Sequence, residues 1–180
     1  DEEKAFEVLA INRKIHSNFI AQYQGTLIKE MGDGVLISFD LASDAVRCAI
    51  EIQKASKAEN IPLKIGIHEG EMVFEGQDVL GDGVNIASSI QDKADKGFIL
   101  GSGAVHRDIK NKSSIETKFA GEAKLKNVDE PIRIYCICYE GCPDAGVISR
   151  KITEQNTTRR SLIRRPLIGL SSGIIVLTAI

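Results

Sequence analysis

A chain of 180 residues with 43% hydrophobic and 27% charged side chains carries enough apolar material for one ordinary domain, which excludes a chain disordered by composition. A formal net charge of −2 with no basic patch excludes the electrostatic footprint of a nucleic-acid binder. The four cysteines, Cys48 alone and Cys136, Cys138 and Cys142 together, match neither the paired spacing of a zinc site nor a disulfide framework, and read as reduced thiols of a cytoplasmic domain.

In chain order, an acidic opening run of Asp1, Glu2 and Glu3 leads into Ala5, Val8, Leu9, Ile15, Phe19, Ile20 and Tyr23, which recur at helical spacing until Gly25. Residues 27–31 and 35–39 are apolar-rich runs on either side of Gly32-Asp33-Gly34, which predicts two strands and a tight turn. Ala42, Ala45, Val46, Ala49 and Ile52 share one face of a second helix, closed by Asn60 and Pro62. Leu63, Ile65 and Ile67 alternate with Lys64, Gly66 and His68 as on a half-buried strand, continued after Gly70 by residues 72–74. Gly81-Asp82-Gly83 leads into a third helix over 84–94, and short strands follow at 98–100, 116–125 and 132–137. Helices interleaved with hairpins predict an α+β or mixed sandwich, one sheet covered by helices.

The far end has a different character. Residues 167–180 contain no charge, and Arg159, Arg160, Arg164 and Arg165 stand just before them. A bilayer core needs about 20 apolar residues in a helix, so the stretch is too short to span as written. Arginines mark the cytoplasmic flank of a membrane helix, so the segment reads as the start of one, anchoring the domain to the inner face of the membrane.

Three motifs carry more than pattern: Lys29-Glu30-Met31-Gly32-Asp33-Gly34, Ile65-Gly66-Ile67-His68-Glu69-Gly70-Glu71, and Asp78-Val79-Leu80-Gly81-Asp82-Gly83-Val84-Asn85-Ile86-Ala87. In this order and at these separations they resemble the successive signatures of class III adenylate and guanylate cyclases, and Leu125-Lys126-Asn127-Val128 with residues 131–135 is similar to that family's closing strands. The resemblance implies a ferredoxin-like (βαββαβ-type) fold with a mostly antiparallel central sheet. It divides the chain into a catalytic domain over 1–140, a basic juxtamembrane linker over 141–166 and the membrane segment over 167–180.

The resemblance also implies an activity, the conversion of ATP to 3′,5′-cyclic AMP and pyrophosphate. Closing that ring needs the ribose 3′-hydroxyl deprotonated, the α-phosphate polarised and the pyrophosphate charge neutralised, which is work for two divalent cations, Mg²⁺ or Mn²⁺, on carboxylates. Asp33 is the metal carboxylate of the hairpin tip, and Gly32 and Gly34 let phosphates approach the backbone. Lys29 and Asp78 fall at the family's purine-reading positions, and a donor facing N1 with an acceptor facing the amino group fits adenine rather than guanine. Asn85 matches the asparagine that positions the ribose, and Lys126 the basic residue that reaches the triphosphate. His68 reads as structural, and His16 and His106 carry no signal. The implied assembly is a homodimer with two shared sites, metal aspartates of one subunit facing the asparagine of the other.

Two departures temper that reading. The family pattern places an arginine four residues after the asparagine, where this chain has Ser89. A hydroxyl cannot act as a delocalised bidentate cation, and losing one preorganised transition-state donor costs about 10² to 10³ in rate. Lys93 and Arg107 lie too far along the chain to take its place. In addition, the family's first strand, which bears the other metal aspartate ahead of the first helix, is missing. The alternative function is therefore a degenerate cyclase domain that binds nucleotide or dimerises without turnover.

Overall fold

The computed structural model describes residues 2–75, 78–125, 128, 130–158 and 172–179. Helix α1 (Glu2–Gln22) turns the face of Val8, Ile11, Ile15, Phe19 and Ile20 onto the core. It stops where Gln24 takes a positive φ of 57° and the Gly25 N–H bonds the Ile20 carbonyl at 2.9 Å. Strands β1 (Thr26–Met31) and β2 (Gly34–Phe39) form the expected hairpin, with Gly32 at φ +63° supplying the turn.

Helix α2 (Ala42–Ala58) buries Ala45, Val46, Ala49 and Ile52 and is stapled to the next strand by Gln53, whose side chain donates to the Leu63 carbonyl (2.8 Å) and accepts from its N–H (2.9 Å). A buried amide with both ends satisfied fixes the height of a helix over a strand. Strand β3 (Lys64–Glu71) is followed by a small hairpin of β4 (Val73–Glu75) and β5 (Asp78–Leu80), then α3 (Asp82–Lys93), β6 (Ile99–Ser102) and α4 (Gly103–Ile109). Strands β7 (Glu116–Ala123) and β8 (Ile132–Cys138), helix α5 (Ala145–Thr158) and strand β9 (Ser172–Ala179) complete the order.

Seven strands form one sheet in the order β1-β2-β9-β3-β6-β8-β7, antiparallel throughout except between β3 and β6. The fold class is α+β, as expected. One face, with Ile37, Ile65, Ile67, Ile99 and Val176, is covered by α1, α2 and α4. The other, with Leu100, Ile134 and Cys136, is covered by α3 and α5 through Ile90, Ile148 and Ile152.

Two expectations about the end of the chain are corrected. The stretch expected as a linker contains α5, which packs Ile148 and Ile152 into the core and pairs Lys151 with Asp95. The segment expected as the start of a membrane helix is, over Ser172–Ala179, a strand at the centre of the sheet, antiparallel to β2 and to β3. The physical reason is that β2 and most of β3 are buried on both faces and each presents a row of backbone donors and acceptors toward the other. The β9 backbone pairs with both, and its β-branched Ile175 and Val176 are buried on opposite faces. An apolar run of this length reads equally as buried strand or helix by periodicity alone. The place between β2 and β3 is thus filled by a segment from the far end of the described residues, and that segment has no carboxylate. Among the described residues no helix is long and apolar enough to cross a membrane.

Candidate active site

The β1/β2 hairpin carries Lys29, Gly32, Asp33 and Gly34. Met31 pairs with Gly34, which leaves Gly32 and Asp33 alone at the tip, with Asp33 exposed. Lys29 is exposed on β1 opposite Leu36, next to a bulge at Ile28. The neighbouring Glu30 carboxylate meets Arg13 of α1 at 2.7 Å, which ties this edge of the sheet to the helix across it. Both partners of that pair are well exposed, so it orients more than it stabilises.

The second motif delivers α3. Strand β5 opens at Asp78, paired with Glu75 of β4, and the chain then enters α3 through Gly81. Close packing sets where the helix lies. A methyl group added at Gly66 would sit 2.5 Å from the Gln91 backbone nitrogen and 2.6 Å from the Ala87 carbonyl oxygen, so α3 rests directly on the backbone of β3. That seating fixes Asn85 and Ser89, one turn apart on α3, relative to the sheet. Asn85 is exposed; the Ser89 hydroxyl donates to the Asn85 carbonyl at 2.8 Å, so its proton is spent inside the helix. Lys93 is buried near the helix end, and Arg107 stands on α4, across the sheet. Neither stands in for an arginine at position 89.

Which residues come together follows from the strand register. Ile28 of β1 and Val84 of α3 pack on one cluster with Leu36, Met72, Ala87 and Ile175, so the strand of Lys29 and the first turn of α3 meet on one face of the sheet. Asp33 does not join them. The hairpin tip lies at the end of the sheet where Val35 pairs with Thr178 and Thr178 with Ile65; α3 begins at the opposite end, where Glu71 pairs with Ser172 and the Gly83 backbone approaches Gly70. Six residues of β3 separate these ends, about 20 Å of strand. One chain therefore does not bring Asp33 to Asn85. For Asp78 the structure describes the backbone, and Lys126 lies outside the described residues.

The residues fit a bound cation poorly within one chain. Asp33 stands apart, and among the described residues no group of three or more His, Cys, Asp or Glu side chains could hold a metal ion. The histidines are structural. Burial pushes His68 down to about 4, and its Nδ1 has no hydrogen-bond partner. His16, which carries no signal in the sequence, links α1 to β9: one ring nitrogen meets the Asn12 carbonyl at 2.8 Å and the other the Thr178 hydroxyl at 2.8 Å. Gly66 is the positioning residue that sequence reasoning passed over. Its signal was present, a glycine between Ile65 and Ile67 in a strand motif, where a helix can approach the backbone.

Residues 3–138 match the adenylate and guanylate cyclase catalytic domain family. The chain belongs to that family. Among its relatives is a putative adenylate cyclase 3 of Rhizobium meliloti, 32% identical over 144 residues, which are 74% of this chain and 24% of the relative. An adenylate cyclase of Streptomyces griseus is 31% identical over 61% of this chain and 28% of its own length. The cyclase domain thus spans about a quarter of the length of these curated relatives. A solved adenylate/guanylate cyclase/hydrolase from Silicibacter pomeroyi is similar at a TM-score of 0.67 and 34% identity, over 73% of this chain and 83% of that one. The guanylyl cyclase Cya2 shares the fold at a TM-score of 0.66 and 23% identity, over 76% of this chain and 81% of that one.

Proposed function

We propose that this cyclase domain binds ATP and, as an assembly of two copies, forms 3′,5′-cyclic AMP and pyrophosphate for intracellular signalling. What supports the reading is that Ile28, the neighbour of Lys29, and Val84, the neighbour of Asn85, pack on one cluster while Asp33 stands apart at the hairpin tip. A purine held between Lys29 and Asp78 leaves its ribose near Asn85, and a second copy, running the other way, brings Asp33 to the phosphate side, where its carboxylate would hold a divalent cation. Lys29 donates to N1 and Asp78 accepts from the amino group, a pattern that adenine satisfies and guanine opposes. Asn85 orients the ribose so that its 3′-oxygen faces the α-phosphorus, and Lys126 balances the triphosphate charge. The family reading calls for two divalent cations, Mg²⁺ or Mn²⁺. This chain offers Asp33 toward them and no carboxylate from β9, so no step is assigned to them.

A second reading rests on a specific observation. With its hydroxyl proton committed to the Asn85 carbonyl, Ser89 gives no charge to the transition state. The domain then serves as a nucleotide-binding or dimerisation module. The full chain and a Ser89→Arg variant, supplied with Mn²⁺ and either ATP or GTP, separate the readings. Cyclic AMP is expected in excess of cyclic GMP, with the variant faster by about 10² to 10³. Preferential turnover of GTP overturns the purine assignment. ATP binding without cyclic product from either protein leaves the module reading.

A further inference from the structure

The three clustered thiols near the end of β8 play no part in the nucleotide site. Cys136 and Cys138, two residues apart, share one face of β8; Cys136 is buried, whereas Cys138 at the strand end and Cys142 beyond it are half-exposed. After Cys138 the chain folds back at once. The Cys142 N–H bonds the Tyr139 carbonyl at 3.0 Å and Gly141 takes φ +78°, which closes a tight turn and returns Cys142 to the side of Cys138. Burial first, and then the neighbouring Cys142 thiol, hold the Cys138 thiol above its ordinary value. The turn is held from outside as well: the Tyr139 hydroxyl donates to the Gly97 carbonyl at 2.6 Å, and Lys57 of α2 donates to the Gly141 carbonyl.

We propose that Cys138 and Cys142 are a reversible disulfide site, closed by a peroxide and reopened by a thiol reductant. Hydrogen peroxide converts one thiol to a sulfenic acid with release of one water, and the second thiol attacks that sulfur and expels a second water. Two S–H bonds are lost and one S–S bond forms, while the peroxide takes up two electrons. A disulfide needs its two Cα atoms about 4.4–6.8 Å apart, and the closed turn from Tyr139 to Cys142 folds the chain back directly after Cys138, which favours that approach. The other two thiols are excluded by burial. Cys48 and Cys136 are each 1% exposed and pushed up to about 12 by burial, out of reach of a peroxide; Cys138 is raised as well but, like Cys142, it is half-exposed.

The test uses the full chain. It is treated with excess hydrogen peroxide while folded, then alkylated in denaturant and mapped by mass spectrometry. The expected result is one peptide link, Cys138 to Cys142, two hydrogens lighter than the reduced form and opened by dithiothreitol, with Cys48 and Cys136 still alkylated. The Cys142→Ser variant should lose the link and carry Cys138 on to the sulfinic acid. Sulfinic acid at Cys138 in the unmodified chain with Cys142 still alkylatable overturns the proposal. So does a link to any other cysteine or between two chains.

Discussion

At the scale of single residues, His68 shows how burial becomes a pH dependence. The folded chain holds this imidazole neutral at a value lowered to about 4, whereas the unfolded chain titrates near 6.5. Unfolding therefore takes up a proton below pH 6.5, and stability falls as pH drops through the window from 6.5 to about 4. The loss between pH 7 and pH 5 is expected to be about 2 kcal/mol from this group, and a His68→Gln variant should show a flatter stability profile in denaturant titrations at the two pH values. His16 is lowered by burial as well and adds in the same direction. Gly66 is a second point of leverage. With 2.5 Å between an added methyl and the Gln91 nitrogen, Gly66→Ala should cost about 1–3 kcal/mol and push α3, with Asn85, off the sheet. A Gly66→Ala chain with unchanged melting temperature would contradict that seating.

At the scale of elements, most of the molecule was legible from the residues. The hairpin at Gly32-Asp33-Gly34, the faces of α1 and α2, and the strand of Ile65 and Ile67 all formed where hydrophobic period and turn chemistry place them. The end of the chain was not legible, because its signal is long-range. Nothing local distinguishes Ile174-Ile175-Val176 as a strand from the same residues in a helix; what decides it is the pair of apolar strands, β2 and β3, on either side. Gln53 and His16 were silent for the same reason, since the groups that satisfy them, at Leu63 and Thr178, arrive only with the fold. If β9 is the central strand, Ile175→Ala should cost about 2–5 kcal/mol, read from the shift in urea midpoint. A membrane segment would tolerate that substitution without change in the stability of the domain. Of the candidate site, the motifs named the residues, but their separation along β3 appeared only in the register.

At the scale of the whole molecule, that separation sets the functional unit. With Asp33 at the hairpin tip and α3 beginning at the opposite end of β3, the described residues of one chain do not bring Asp33 to Asn85. In the proposed reading, two chains arranged about a twofold axis close two sites at once. Ser89 would then set the rate of each site, and Lys29 with Asp78 its choice of purine. The most direct test mixes two inactive variants, Asp33→Asn and Asn85→Ala, in whichever background, unmodified or Ser89→Arg, turns ATP over faster. Each alone should produce no cyclic AMP. Their equimolar mixture should recover up to about one quarter of the parent rate, since half the dimers pair unlike chains and each of those holds one intact site of two. A mixture as inactive as its components would contradict a site shared between copies.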